Sequence, residues 1–268
     1  GAIKYIYKSL NSSKYMIPPI LKAYSKDLFF EFLTHDKEAD AIILLPGFPS
    51  SNKEDELMRF LYEKGFNVFY IRYKGSFQSK GYFLETNIVN DIIESITYLN
   101  KGKVKSLWDM QEIFFKNKSL IILTGSFSGA IACGIAAKSK NIISKIILSA
   151  PVLDFRKHNS IYEEQDLIYL LNFVKRAYLN LYRIKFNNLV NQLNKFQELS
   201  PQYYMERLDC PLLIFHDPKD KTVSIEHTKE AIKLLKSSEL IQHNLGHGLS
   251  ELLIKKYWNK IKNFIECD

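Results

Sequence analysis

Apolar runs alternate with segments of helical periodicity along most of this chain. The runs are rich in Ile, Leu, Val and Phe, and they cover residues 29–32, 41–45, 67–73, 120–124, 142–149, 212–215 and 239–243. Runs with so few polar interruptions are typical of strands that are buried on both faces of a parallel sheet. We therefore interpret them as strands of one sheet.

The segments between the runs carry apolar residues at intervals of three and four, which predicts helices. These segments are residues 56–64, 87–99, 130–138, 225–235 and 249–265. A strict alternation of strand and helix indicates a mostly parallel sheet flanked by helices on both faces. The sequence therefore predicts an α/β fold, organised as a single domain over residues 1–268.

One long helical segment, residues 155–209, interrupts the alternation between two predicted strands. Its apolar positions fall on shared helical faces; they are Leu167, Leu170, Leu171, Val174, Tyr178 and Leu181, followed by Ile184, Leu189, Leu193 and Phe196. The segment follows the end of a strand, and open α/β sheets bind ligands at the carboxyl ends of their strands. We interpret residues 155–209 as a helical lid inserted within the domain, with a plain packing pair of helices as the alternative.

The composition excludes several classes of protein. The 268 residues are 46% hydrophobic and 25% charged, which is ordinary for a globular domain and argues against a disordered or fibrous chain. No run approaches the ~18 uninterrupted apolar residues of a membrane-spanning helix. We therefore expect no transmembrane segment.

The net charge of +8 raises the question of a nucleic-acid partner. The lysines are dispersed, and the densest run, Lys101, Lys103 and Lys105, has no interleaved aromatic residues to stack on bases. No helix-turn-helix, RRM, KH or zinc-finger signature is present. The sequence thus predicts no nucleic-acid partner, and it leaves the oligomeric state open.

The three cysteines, Cys133, Cys210 and Cys267, show no Cys-x-x-Cys spacing and no nearby histidine cluster. This pattern supports neither a disulfide framework nor a structural metal site, so we expect no metal and no cofactor. Sparse, unpaired thiols are typical of reduced proteins, and we predict a cytoplasmic location. The chain begins Gly-Ala rather than Met, which leaves an upstream leader open.

Small residues cluster where one predicted strand meets a helix, in residues 120–136, which read LIILTGSFSGAIACGIA. A hydrophobic strand that enters such a cluster and continues as a helix is the environment of a nucleophile elbow. Three residues are alternatives for the apex of the turn. The strand and helix boundaries favour Ser126, a shift of two residues gives Ser128, and the literal Gly-x-x-x-Gly match gives Phe127, which would leave no nucleophile.

A serine hydroxyl becomes a nucleophile when a base takes its proton and a carboxylate orients that base. Asp220 follows the predicted strand 212–215, and His247 follows the strand 239–243. Both lie at carboxyl ends of strands, on the same edge of the sheet as Ser126, and in the chain order Ser, Asp, His. The sequence therefore predicts a triad of these three residues.

Nearby residues are weaker alternatives for the acid and the base. Asp217 is the alternative acid, in the same turn as Asp220. His216 and His243 are the alternative bases, but both lie within or beside a predicted strand rather than in a loop. Asp220 and His247 therefore remain the expected pair.

Several segments resemble the α/β-hydrolase superfamily, especially its prolyl-oligopeptidase and dienelactone-hydrolase-like branches. TGSFSGAIA resembles the GxSxGG elbow run, although Thr124 and Ser128 stand where the motif has glycine. SPQYYMERLDCPLLIFHDPKDKTVS is similar to the family's segment around the acid, and RYKGSFQSKGYF is similar to its loop after the fourth strand. The resemblance covers about residues 28–265 and is weakest in 155–209. It implies an α/β-hydrolase fold with Ser126 as the nucleophile.

The resemblance also implies an oxyanion hole, in which backbone N–H groups stabilise a developing negative oxygen. Phe127, directly after the nucleophile, would supply one donor. The loop LPGFPSS after the strand 41–45 is similar to the family's HGFxxS loop, with Pro46 in place of the histidine. Phe48 would supply the second donor, because Pro49 has no N–H.

Three functions are compatible with these expectations. The first is a serine hydrolase that cleaves an ester, thioester or amide carbonyl through an acyl-enzyme. The second is an acyltransferase that uses the same triad with an alcohol or amine acceptor, and the third is a non-catalytic binding protein with Phe127 at the apex. The apolar lid predicts a small-molecule or peptide substrate with an apolar acyl or aromatic group.

Overall fold

The structure, a computed structural model, describes residues 18–50, 53–154, 167–185 and 205–267. Eight strands in these ranges form one sheet, and two more form a separate hairpin. The strands are β1 (Leu21–Ser25), β2 (Leu28–Leu33), β3 (Ala39–Leu44), β4 (Asn67–Ile71), β5 (Lys103–Lys105), β6 (Glu112–Phe114), β7 (Asn117–Gly125), β8 (Lys145–Ser149), β9 (Leu212–His216) and β10 (Ser238–Gln242).

The large sheet has the spatial order β1-β2-β4-β3-β7-β8-β9-β10. Every neighbouring pair from β4 onwards is parallel, whereas β2 pairs antiparallel with both β1 and β4. The prediction of a mostly parallel sheet is therefore confirmed. Because parallel strands end at one edge, the loops after β3, β7, β9 and β10 gather there.

The helices lie between the strands in the chain. They are α1 (Asp55–Glu63), α2 (Ile88–Leu99), α3 (Ser128–Lys138), α4 (Leu167–Ala177), α5 (Ile225–Ala231), α6 (Glu251–Lys256) and α7 (Trp258–Glu266). In β7, Ile122 belongs to a buried cluster with residues of α2 and α3, while Ile121 and Leu123 belong to a second cluster with residues of α1, α6 and α7. The central strands are continuously apolar because successive side chains enter opposite, equally buried faces.

The structure also contains elements that the apolar pattern did not predict. β1 is an edge strand whose LKAYS sequence mixes polar and small residues, and it is held by pairing with β2. The β5–β6 hairpin lies in a lysine-containing stretch between α2 and β7. The predicted helix 249–265 is two helices, because the backbone at Tyr257 (φ −103°, ψ 18°) ends α6 before α7 begins. The helix predicted at 225–235 ends at Ala231.

The predicted lid, residues 155–209, falls partly outside the described residues, since neither 155–166 nor 186–204 is described. The described part contains α4, in which Leu170, Leu171 and Val174 are buried, as its helical periodicity predicts. The role of this segment as a lid stays a prediction.

Two structural absences hold for the described part of the chain. No helix there is long and apolar enough to cross a membrane. No group of three or more His, Cys, Asp or Glu side chains in the same ranges is arranged to hold a metal ion. All three cysteines lie within these ranges as free thiols.

Candidate active site

Ser126 lies at the sharp turn between β7 and α3. Its φ is 53°, in the left-handed region that few residues other than glycine adopt. Three backbone hydrogen bonds hold the turn: the Ser126 N–H donates to Ser149 O at 3.0 Å, and Ser126 O accepts from the N–H groups of Gly129 at 3.0 Å and Val152 at 2.9 Å. The turn therefore presents the Ser126 side chain at the carboxyl edge of the sheet.

Close packing explains the two glycines around this turn. A Cβ at Gly125 would lie 2.5 Å from Ser149 O, and a Cβ at Gly129 would lie 2.4 Å from Pro151 Cβ. Any side chain at either position would push the turn away from β8 and the residues that follow it. The Gly-x-x-x-Gly spacing thus reflects close approach to this neighbouring segment and does not mark Phe127 as the apex.

The three residues that could occupy the apex differ in exposure. Phe127 is 3% exposed, and its ring centroid lies 5.4 Å from that of Phe48. Ser128 is fully buried. Ser126 is partly exposed and lines a cavity at the carboxyl edge of the sheet. Ser126 is therefore the residue of the three that a substrate can reach from this cavity.

His247 connects Ser126 to Asp220. His247 Nε2 lies 3.1 Å from Ser126 Oγ, and His247 Nδ1 lies 2.7 Å from Asp220 Oδ2. Because an ionised carboxylate can only accept, Nδ1 carries the proton and donates to Asp220. Nε2 is then the acceptor for the Ser126 hydroxyl proton, which is the arrangement a general base requires.

The loop that carries His247 runs between β10 and α6. Gly246 (φ 78°) and Gly248 (φ 91°) flank the histidine in left-handed conformations that suit glycine. The hydroxyl of Ser149, at the end of β8, donates to Gly248 O at 2.7 Å. The His247 loop is therefore hydrogen-bonded to β8, the neighbour of the strand β7 that leads to Ser126.

Asp220 is buried in the turn after β9, where its side chain is fully enclosed. Its Oδ1 accepts from the backbone N–H groups of Thr222 at 2.8 Å and Val223 at 3.0 Å. Burial by itself would raise the pKa of Asp220, but the hydrogen bond from His247 and these N–H groups outweigh burial and lower the pKa below its usual value. Asp220 therefore stays ionised and can hold His247 in the required tautomer.

Asp217, the alternative acid, has a different position. Its carboxylate accepts from the N–H groups of Lys219 and Gly246, both at 2.8 Å. These backbone bonds lower the pKa of Asp217. The residue thus ties the turn after β9 to the loop that carries His247, and its hydrogen bonds go to the backbone rather than to a base.

The alternative bases are also engaged elsewhere. His216 is fully buried; its Nε2 donates to Val223 O at 2.9 Å and its Nδ1 accepts from Thr228 Oγ1 at 2.8 Å. His243 Nδ1 accepts from the N–H of Leu245 at 3.1 Å. Burial lowers the pKa of both histidines. Each is therefore a neutral structural residue away from Ser126.

The two residues expected to form an oxyanion hole lie on either side of Ser126. Phe127 follows it directly, at the start of α3. Phe48 follows Gly47 in the loop after β3, and a Cβ at Gly47 would lie 3.9 Å from Ser126 Cβ. The Phe48 ring stacks on Phe83 at a centroid distance of 4.5 Å. The loop after β3 and the turn at Ser126 thus converge, as an oxyanion hole requires.

Comparisons with known proteins agree with this architecture. No protein-family model and no curated protein matches the chain. Among solved structures, Pyrococcus horikoshii acylaminoacyl peptidase matches with a TM-score of 0.63 and 18% identity, over 96% of this chain and 43% of that one. The Pyrococcus furiosus esterase Pf2001 matches with a TM-score of 0.63 and 13% identity, over 92% and 89% of the two chains. The esterase of Exiguobacterium antarcticum gives 0.60 and 16%, over 93% and 100%.

The chain has the α/β-hydrolase fold. The expectation drawn from the motif resemblance is therefore confirmed for the fold, with the sheet order and the antiparallel β2 in place. The chain spans less than half the length of the acylaminoacyl peptidase and most or all of the length of the two esterases.

Three buried hydroxyl groups explain why this α/β-hydrolase fold has Thr124 and Ser128 where the elbow motif has glycine. Thr124 Oγ1 donates to Leu45 O at 2.9 Å, and Ser128 Oγ is hydrogen-bonded to Pro46 O. The Tyr73 hydroxyl lies 2.8 Å from Ser128 Oγ and 2.9 Å from Pro46 O. The hydroxyls thus hold the carbonyl groups just before Gly47 and Phe48. We call Thr124, Ser128 and Tyr73 the hydroxyl cluster.

The cavity beside Ser126 has a volume of about 210 Å³. Leu44, Leu45 and Leu249 are among the residues that line it, together with His247. Glu54 also lines it, and the sequence offered no signal for this, because Glu54 belongs to the charged run KEDE that is typical of a solvated helix start.

Proposed function

We propose that this protein is a serine hydrolase that cleaves an ester, thioester or amide carbonyl through an acyl-enzyme. The observation that carries the proposal is the continuous hydrogen-bonded chain Ser126–His247–Asp220, at 3.1 and 2.7 Å, beside a cavity. The likeness in fold to two esterases and an acylaminoacyl peptidase supports it.

In the first half of the reaction, Ser126 Oγ attacks the substrate carbonyl carbon while His247 Nε2 takes the hydroxyl proton. The backbone N–H groups of Phe48 and Phe127 stabilise the oxyanion of the tetrahedral intermediate. The protonated His247 then gives its proton to the leaving oxygen, sulfur or nitrogen, and the acyl group remains on Ser126. Asp220 stabilises the charged imidazole throughout this half.

In the second half, a water molecule replaces the leaving group. His247 Nε2 takes a proton from the water, whose oxygen attacks the acyl carbon, and the second tetrahedral intermediate uses the same two N–H donors. His247 returns its proton to Ser126 Oγ, and the carboxylic acid leaves. The enzyme regains its starting protonation state.

The cavity supports a substrate with an apolar acyl or aromatic group near the scissile carbonyl. Pro49 and Leu249 line the cavity and are partly exposed, and burial of apolar substrate surface against them is favourable.

The test uses a fluorophosphonate probe, which phosphonylates a serine that an adjacent histidine activates. We expect the wild-type protein to be labelled and both Ser126→Ala and His247→Ala to lose labelling completely. Ser95→Ala is the control, because it removes the hydroxyl of another hydrogen-bonded serine (to Ser25 Oγ, 2.8 Å), one that is buried in α2. Absence of labelling in the folded wild type, or labelling that survives in Ser126→Ala, would overturn the proposal.

A further inference from the structure

Among the described residues that line the cavity, Glu54 is the one with an acidic side chain. It precedes α1 and shares the cavity with Ser126 and His247. We propose that Glu54 forms a subsite that binds an ammonium group of the substrate close to the scissile carbonyl. This inference rests on the proposed hydrolase function and names the charge of its substrate.

Within the described residues, the carboxylate of Glu54 shares a nearby cation with a second carboxylate. Arg72 is the nearby positive group, but its Nη2 lies 3.3 Å from Glu31 Oε2, and both side chains are buried at 6% and 16% exposure. Arg72 Nη1 also donates to the Tyr70 hydroxyl at 3.1 Å. One guanidinium thus faces two carboxylates, so the group carries one excess negative charge when Glu54 is ionised.

The carboxylate of Glu54 is also poorly solvated. Its residue is half-buried, and within the described ranges its side chain accepts no hydrogen bond at the start of α1. Burial raises the pKa of Glu54 to about 7, with Arg72 acting in the opposite direction and the charge of Asp55 adding to the rise. A desolvated carboxylate of this kind is stabilised by a cation that brings its own N–H donors.

A substrate ammonium group supplies both a positive charge and hydrogen-bond donors to the Glu54 carboxylate. It neutralises the excess charge, and it donates charge-assisted hydrogen bonds to the free lone pairs of the carboxylate. Glu54 shares its cavity with Ser126 and His247, so a cation carried by the substrate can reach the carboxylate while the carbonyl lies at Ser126. The apolar residues of the cavity contact the carbon chain between the ammonium group and the carbonyl.

The test compares two pairs of esters that differ only in charge. On the acyl side, the p-nitrophenyl ester of β-alanine is compared with p-nitrophenyl butanoate, in which a methyl group replaces the ammonium. On the alcohol side, 2-(dimethylamino)ethyl butanoate, which carries one N–H when protonated, is compared with 3-methylbutyl butanoate. We expect kcat/KM to favour the cationic ester about tenfold in at least one pair, as for one partly buried charged hydrogen bond.

Variants of Glu54 identify the group responsible. In Glu54→Gln the cationic preference falls to a ratio near one, and in Glu54→Asp, which keeps the charge, part of the preference returns. Asp55→Asn is the matched control, since it removes the same charge from the neighbouring exposed residue. We expect Asp55→Asn to keep the wild-type ratio.

The ratio of kcat/KM for the cationic ester to that for the neutral ester should also depend on pH, in a direction that the pKa of Glu54 determines. Glu54 binds the cation in its ionised form, so the ratio rises as the pH is raised through about 7. The other ionisable groups facing it are Arg72, Asp55, Tyr70 and His247; burial keeps the pKa of Tyr70 well above its usual value, so Tyr70 stays neutral. Both esters of a pair react at the same Ser126, so effects on the chemical step itself are common to both.

The outcomes separate the two proposals. Hydrolysis of the neutral esters with a ratio near one in both pairs overturns the ammonium subsite and leaves the hydrolase function intact. A preference that survives in Glu54→Gln, or that Asp55→Asn removes equally, also overturns the subsite. Absence of both hydrolysis and fluorophosphonate labelling in the folded protein overturns the hydrolase function itself.

Discussion

The two loops that meet at Ser126 are held by different kinds of contact. The elbow turn is held mainly by backbone hydrogen bonds, from the Ser126 N–H to Ser149 O and from the N–H groups of Gly129 and Val152 to Ser126 O. Backbone groups are present whatever the side chain, so these contacts survive most substitutions.

The loop after β3, residues 45–50, depends instead on side chains. The hydroxyl cluster holds its first two carbonyl groups, those of Leu45 and Pro46. At its far end, the N–H of Ser50 donates to the Tyr182 hydroxyl at 2.9 Å. Backbone hydrogen bonds thus fix the position of the nucleophile. The position of the Phe48 N–H depends on individual side-chain hydroxyls, so single substitutions can alter it.

The largest effect is expected from Asp220→Asn, which changes the base without moving either loop. The new amide offers an N–H to His247 Nδ1, so the imidazole proton moves to Nε2, which can then no longer accept from Ser126. We expect kcat for an activated ester to fall by about 10⁴-fold, as for other triads whose carboxylate is lost. Steady-state kinetics on the folded variant, checked by circular dichroism, measures this.

Asp217→Asn is the matched control for that variant. It removes a carboxylate from the same turn, but one that accepts from backbone N–H groups rather than from His247. We expect it to loosen the His247 loop and to lower kcat far less. Equal losses in the two variants would contradict the assignment of Asp220 as the group that orients the base.

An intermediate effect is expected from the hydroxyl cluster. Ser128→Ala and Tyr73→Phe each remove hydrogen bonds to the loop that carries Phe48, so the oxyanion is held less well while substrate binding changes little. We expect kcat to fall about tenfold in each variant with KM nearly unchanged, and the double variant to lose less than the product, because both act through Pro46 O.

A boronic acid inhibitor gives a second measurement of the same effect, since its tetrahedral adduct carries an oxygen in the oxyanion position. Its affinity should fall in parallel with kcat in both variants. Ser95→Ala, which deletes a buried hydroxyl far from the loop, should lower stability by about 1 kcal/mol and leave kcat unchanged. If the cluster variants lose stability in the same way but keep kcat, the hydroxyl cluster does not position the loop.

The smallest effect is expected from a mild fall in pH. Burial lowers the pKa of His216 below the usual 6.5, so the unfolded chain takes up a proton before the folded one does. The stability that neutral His216 contributes is present above pH 6.5 and is lost as the pH falls towards the folded pKa. In Glu54→Gln, which removes the opposite contribution of the raised pKa of Glu54, the free energy of unfolding in urea should therefore decrease as the pH falls from neutral.

The region in which stability falls at lower pH distinguishes the turn after β9 from the loop after β3. His216 bonds to Val223 O and Thr228, beneath the turn that carries Asp220, and the loop after β3 contains no histidine. Hydrogen exchange, corrected for intrinsic rates, should show local opening at residues 217–224 before residues 45–50. Earlier opening at residues 45–50 would show that another group controls the acid sensitivity.

Much of the fold could be predicted because its signals are local. Each central strand is apolar throughout, since both of its faces are buried, and a run such as residues 120–124 shows this without reference to any other part of the chain. The edge strand β1 and the β5–β6 hairpin were missed because pairing with a neighbouring strand, rather than apolar periodicity, stabilises them.

The candidate site also has residues with a local signal in the sequence. Ser126, Asp220 and His247 follow strands in a characteristic chain order, so residue type and position were enough to predict their meeting at one edge. The lid segment 155–209 remains a prediction, since it lies only partly within the described residues.

The sequence by itself determined the alternation of strands and helices, and hence which loops share the carboxyl edge. Only the tertiary structure decided which residue of the elbow faces the cavity, why Thr124 and Ser128 replace glycine, and that Glu54 lines the cavity. These features depend on contacts between distant residues, such as Thr124 with Leu45, 79 positions apart. Local periodicity carries no information about such pairs, because each hydroxyl or carboxylate acquires its role from the groups that packing brings to it.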